Sequence, residues 1–232
     1  MCSLTCYSWY IAAVPHLHHT ITFGDNRSGF AHGKLKQLSK LHELGLIPLV
    51  AEVRVFQSND ACPWFAPRAF SPRDLRYFST FANVQKLKLD RVDISNFIPE
   101  VERYFGQFSA TLQSIALIAP RCTPRQLSHF LSHFPNLDNL EIRVYFPPSP
   151  LSLPAIPDTE LVPITTSKLR GQLVLASFRE VKVWKDLITS CGGLQFHTTV
   201  LRNVANCAPV ILEACSETLE TLRFFPTDGF SE

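Results

Sequence analysis

The chain has 232 residues, 46% of them apolar and 18% charged, with 22 Lys+Arg against 20 Asp+Glu and a net charge of +2. That profile excludes an intrinsically disordered chain, and the length suffices for one large domain or two small ones. The near-balanced charge supplies no one-signed field for nucleic acid or a membrane surface, so neither is expected as a partner.

In chain order, Ser3 to Val14 reads as a short helix ended by Pro15, and Leu17 to Phe23 as a strand with Ile21 and Phe23 inward. Gly24, Asp25, Asn26 and Gly29 form a turn cluster. Leu35, Leu38, Leu41 and Leu44, three apart, mark a helical stripe stopped by Gly45 and Pro48, and Val50 to Phe56 is the next strand. After a looser stretch, Ser71-Pro72-Arg73-Asp74 starts a helix whose inward residues are Leu75, Phe78 and Phe81. A strand over Val84 to Leu89 follows. Asn96 caps a helix with Phe97, Val101, Tyr104 and Phe105 inward, and Leu112 to Leu117 is a strand. Thr123-Pro124-Arg125-Gln126 repeats the cap-and-proline start, with a Leu127/Phe130/Leu131/Phe134 stripe behind it and a strand over Leu137 to Ile142. Phe146 to Ser167 holds six prolines, a density neither helix nor ladder tolerates, and reads as an extended insertion. Gly171 to Leu175 resumes as a strand. A helical face of Trp184, Leu187, Ile188 and Cys191, a strand over Leu194 to Thr198, a helix over Val204 to Cys215 and a strand over Leu219 to Phe225 complete the series.

One pattern recurs through these strands: an apolar residue, a second three positions on, and a third two further. It appears as Val84/Leu87/Leu89, Leu112/Ile115/Leu117, Leu137/Leu140/Ile142 and Leu219/Leu222/Phe224, with a weaker copy at Val50/Val53/Val55. The second and third members share one side of a strand, and the residue between them faces the other. Successive second members lie 28 residues apart from Leu87 to Ile115, 25 from Ile115 to Leu140 and 33 from Leu140 to Leu173. With Phe196 taken as the second member of its strand, Leu222 follows 26 later. A strand plus helix at this period predicts an α/β leucine-rich-repeat solenoid, horseshoe-like, with parallel strands on the concave face and helices outside. The outward strand positions then form a polar ladder. It consists of Glu52 and Arg54, Lys86 and Lys88, Ser114 and Ala116, Asn139 and Glu141, Gln172 and Val174, Gln195 and His197, and Thr221 and Arg223. Its mixed signs suit a protein target better than a polyanion.

The seven cysteines are odd in number and irregular in spacing, which points to reduced thiols and to cytoplasm or nucleus. Met1 to Val14 has no Lys or Arg, and Ser3, Thr5, Cys6 and Ser8 interrupt its apolar residues, so a signal peptide is not expected. Cys2, Cys6, His16, His18 and His19 match no closed zinc signature. His129 and His133 have helical ligand spacing, but Phe130 occupies the place of the zinc-protease base, and both fall off the apolar stripe, toward solvent. No P-loop, G-x-G-x-x-G or G-x-S-x-G occurs, and no serine or cysteine has a His-plus-acid context. No enzyme activity, cofactor or metal is therefore expected.

The segment Cys2-Ser3-Leu4-Thr5-Cys6-Tyr7-Ser8-Trp9, followed by His16 to Ile21, resembles the last helix of an F-box and the strand after it. Leu137 to Ile142 and Leu169 to Leu175 resemble the divergent leucine-rich repeats of fungal, especially basidiomycete, F-box proteins. The resemblance implies a remnant of the F-box C-terminal helix and first strand over 1–23; because a solenoid needs capped ends, this helix is also expected to cap one of them, with Trp9 and Tyr10 buried against the first strand. It implies a divergent repeat domain over 24–232 with the proline-rich insertion at 146–167. It implies the substrate-recognition region of a cullin-RING ubiquitin ligase subunit. The L-P-x-E-[LI] segment and the two helices that bind the ligase adaptor do not precede Met1, so the resemblance does not carry adaptor binding to this chain. The alternative is a free-standing scaffold repeat protein without a ligase link.

Overall fold

Parallel strands cannot be joined by tight turns; each crossover needs a dozen or more residues. The repeat period supplies that length, and the computed structural model realises it. It describes residues 7–24, 39–56, 80–92, 94, 105–120, 122–143, 169–176, 181–190, 193–204 and 206–225. Among these, eight strands form a single all-parallel sheet in sequence order. They are β1 (Thr20–Gly24), β2 (Glu52–Phe56), β3 (Lys86–Asp90), β4 (Ser114–Ile118), β5 (Asn139–Arg143), β6 (Leu169–Ala176), β7 (Leu194–Arg202) and β8 (Thr221–Phe225). The helices are α1 (Tyr7–His18), α2 (Pro124–Ser132), α3 (Val181–Ser190) and α4 (Ala208–Cys215). Helix α3 lies between α2 and α4, and α4 packs on β7. The helix starts at Ser71 and Asn96, the inward residues Leu35, Leu38 and Cys191, and the insertion at 146–167 lie outside the described residues.

Register follows from the triads. Val53, Leu87, Ile115, Leu140 and Leu173 align in one column, and Val55, Leu89, Leu117, Ile142 and Leu175 in the next. All ten are buried in one core with Leu127, Phe130 and Leu131 of α2 and with Phe134 just past its end. The Phe130 ring meets Phe105 and Phe134 edge-on at 6.1 and 5.1 Å. Helix α2 begins with a capping box. Thr123 Oγ1 accepts from the Gln126 N–H at 3.2 Å, and Gln126 Oε1 accepts from the Thr123 N–H at 2.9 Å.

Three hydrogen-bond devices repeat from strand to strand. At the entrances, one carbonyl accepts two N–H groups from the next repeat at 2.9–3.0 Å: His19 from Ala51 and Glu52, Ala51 from Gln85 and Lys86, Gln85 from Gln113 and Ser114, and Gln113 from Asp138 and Asn139. At the exits of β3, β4 and β7, Arg91, Ala119 and Asn203 turn at positive φ, and their N–H groups reach the carbonyls of Ile118, Arg143 and Phe225 on the next strand. Three residues before a strand, Asn83, Thr111, Asn136 and Thr218 donate to the preceding repeat, at Pro48, Val84, Ala110 and Phe196 carbonyls. Buried backbone between repeats is thereby satisfied where the ladder has not begun.

Several sequence expectations change. Helix α1 runs through Pro15 to His18 instead of ending before it. Its contacts with β1 and with the turn at Ile47–Leu49 hold the last turn despite the missing N–H. Leu17 is therefore helical and exposed, not the first residue of a strand. Trp9 is 71% exposed and does not cap β1. Leu41 is buried, but Leu44 is 60% exposed. The short helix at 39–43 closes in a Schellman turn, with the Gly45 N–H on His42 O and the Leu46 N–H on Leu41 O, and Gly45 at φ +66°. Leu44 is thus the cap, past the end of the stripe.

Strand β7 is longer than expected and changes phase. Phe196 pairs with Gly171 and Thr198 with Gln172, leaving His197 as an extra, bulged residue. Phe196 is therefore the first member of its triad, and Thr199, paired with Leu173 and Leu222, is the second. Gly171 sits at φ +92°, where an added Cβ would lie 1.8 Å from the Asp138 carbonyl oxygen. In β8, Leu222 and Phe224 are 45% and 46% exposed although their columns are buried elsewhere. No further described strand or helix covers them, and a repeat's inward side is buried only between neighbours.

Two substitutions test this account. Leu140→Ala should lower unfolding stability by about 2–5 kcal/mol in urea titration; a loss below about 0.5 kcal/mol would place Leu140 outside the core. Gly171→Ala should cost about 3 kcal/mol or more, whereas Gly193→Ala, with open space around its Cβ, should cost about 1–2 kcal/mol. Equal losses would contradict the close approach of β6 to Asp138.

Candidate polar-face binding site

Alternation leaves every second residue of each strand on the sheet face opposite the core. Glu52, Lys86, Ser114, Asn139, Gln172, Thr198 and Thr221 form one row across β2 to β8. Arg54, Lys88, Ala116, Glu141, Val174, Val200 and Arg223 form the next. The expected ladder is thus assembled except on β7. There the bulge puts Thr198 and Val200 in the places expected for Gln195 and His197. Gln195 pairs with Arg170 and lines a separate hollow of about 220 Å³ beside Leu131 and Phe134. His197 stays exposed, its Nδ1 3.2 Å from Thr198 Oγ1.

Charge is concentrated at β2 to β5. Glu52 receives Arg54 Nε at 2.7 Å and a terminal guanidinium nitrogen at 3.1 Å, and Thr20 Oγ1 donates to it at 3.2 Å. Arg143 pairs with Glu141 through a single contact, Nε to Oε1. In both pairs the partners are two residues apart on one strand, so they share a face and a long guanidinium spans the gap. The hydrogen bond from Arg54 holds the Glu52 carboxyl below the usual glutamate range against the opposing effect of burial, and Glu52 in turn raises Arg54. Arg143 and Thr20 were missed in the sequence, although the Glu-x-Arg spacing on a strand signals such a pair.

Lys86 and Lys88 make no ion pair or hydrogen bond among the described residues; the nearest electrostatic link is the weak pull of Lys86 on Glu52. They stand beside Ser114 and Ala116, whose small side chains form the floor of a depression of about 240 Å³ between β2 and β5. The third row ends in Phe56, under the Arg91 guanidinium at 5.6 Å, and in Phe225, under that of Arg202 at 5.1 Å.

The remaining sequence candidates lie elsewhere. His129 and His133 are half-buried on α2, not solvated as expected, with rings 5.0 Å apart. Burial, and then His133, lowers the His129 pKa, while His133 Nδ1 lies 2.9 Å from the His129 carbonyl. Among the described residues no three His, Cys, Asp or Glu side chains gather as metal ligands; Cys2 and Cys6 lie outside them. Cys207 and Cys215 are buried in the core, and burial pushes the Cys215 thiol up. No described helix is long and apolar enough to cross a membrane. No protein family, curated protein or solved structure matches the chain.

The Glu52–Arg54 pair gives a pH signature. A carboxyl lowered in the folded state adds stability above the ordinary glutamate range, and that stability is lost as pH falls through the folded value. Wild type should therefore lose about 0.5 kcal/mol more than Glu52→Gln between about pH 5.5 and 3 in urea titrations. Parallel stability curves would show that the pair contributes nothing.

Proposed function

We propose that this chain is a divergent leucine-rich-repeat solenoid whose polar sheet face is concave and binds a protein target without catalysing a reaction. The observation that carries the proposal is the pair of in-register polar rows across β2 to β5, bordering an open depression on a rigid sheet. Parallel strands in sequence order support the solenoid, since repeat folds offer long, regular surfaces and commonly use them for recognition. The target-binding role resembles the substrate-recognition region of an F-box ligase subunit, in cytoplasm or nucleus. That link rests on the Cys2–Trp9 segment, and a scaffold repeat protein without a ligase partner is its alternative.

A photo-crosslinking amino acid at Ala116, on the polar face, should capture a discrete protein in cell extract; one at Arg125, exposed on α2, should not. Capture from Arg125 alone would place recognition on the helical side. Purified ligase adaptor should co-purify with this chain extended upstream by an L-P-x-E-[LI] segment and its helices if the ligase link holds. Its absence, with capture at Ala116 intact, favours the scaffold alternative.

A further inference from the structure

The proposed recognition face differs from an ordinary mixed-charge surface in one respect: two of its acids, Glu52 and Glu141, are already occupied and two of its bases are not, while a third acid, Asp90, lies two residues past Lys88 with Arg91 Nε at 3.8 Å. Glu52 is held by Arg54 and Thr20, and Glu141 by Arg143. Both guanidiniums lie on the same strands as the acids they neutralise. Lys86 and Lys88, on the intervening β3, have no such partner among the described residues. They stand two residues apart on one face, about 7 Å along the strand, facing the same way. Beside them, Ser114 and Ala116 keep the floor low, so a ligand can approach both ammonium groups.

The charge is interrupted along the sheet. On β6 and β7 the corresponding positions are Gln172, Val174, Thr198 and Val200, all uncharged, before Arg223 on β8. A nucleic acid would want basic contacts repeated over many phosphates. Two lysines over a short, shallow floor suit instead one or two carboxylates.

We propose that the depression over Ser114 and Ala116 is a docking site for a short acidic peptide segment of a partner protein, with its carboxylates on Lys86 and Lys88. This deepens the target-binding reading and rests on it. Lysine is suited to such a site as a point charge on a flexible stem, and the guanidiniums fixed by Glu52 and Glu141 flank it without competing for the ligand.

Fluorescence anisotropy with a labelled octaglutamate peptide tests the proposal on the full chain. The wild-type protein should bind it in low salt, and Lys86→Gln/Lys88→Gln should bind at least fivefold more weakly with an unchanged unfolding midpoint. Lys185→Gln, on α3, should leave binding unchanged, and Lys86→Arg/Lys88→Arg should retain most of it. Raising the salt should weaken binding, as a charge-driven contact requires. Undiminished binding by the Gln double variant, or an equal loss with Lys185→Gln, overturns the assignment. Tighter binding of a single-stranded oligonucleotide than of octaglutamate also overturns it, in favour of a nucleic acid. If octaglutamate fails to bind while crosslinking at Ala116 still captures a protein, the acidic-peptide inference falls and the polar-face reading stands.

Discussion

The architecture depends on a shared acceptor at each strand entrance. A single carbonyl, as at Ala51, Gln85 and Gln113, takes two consecutive N–H groups from the following repeat. That arrangement fixes where the next strand starts relative to the last. Because side chains alternate with a period of two, fixing the start fixes the face of every residue that follows. The buried columns and the polar rows are two consequences of the same constraint. The crossover helices can differ in length and content without disturbing either, since they join strands whose register is set at the sheet.

The apolar triads made this scheme legible, because a residue pair two apart must share a face wherever a strand forms. The cap at Thr123-Pro124 was equally legible, since its chemistry is local. What escaped was set by contacts between repeats. The inversion in β7 depends on Gly171 approaching the Asp138 carbonyl, a distance of tertiary origin. It moved Phe196 to the first triad position and put Thr199, whose buried hydroxyl has no partner, in the column of leucines. The donors Asn83, Thr111, Asn136 and Thr218 share a position three residues before their strands. They differ in residue type and were invisible until the strands were aligned. Pro15 shows the reverse case, a local signal overruled by packing.

The same separation holds for the polar face. Its membership was readable from alternation, apart from Gln195, which precedes the bulge, and His197, which forms it. Its electrostatics were not, because a row of mixed charges looks neutral until partners are assigned. Pairing within β2 and within β5 removes two acids and two arginines from play and leaves the lysines of β3. In the proposed docking site, selectivity comes from what the face's own strands neutralise, and the small residues on β4 set where a ligand comes close.

The central claim is that register is transmitted between repeats at the strand entrances. Site-resolved hydrogen exchange of backbone amides tests it most directly, because those N–H groups precede the strands and an isolated strand would leave them open to solvent. The amides of Gln85, Gln113 and Asp138 should exchange as slowly as those of Leu87, Ile115 and Leu140 in the strand centres. Exchange at the entrances as fast as in open loops, with the strand centres still protected, would contradict the account.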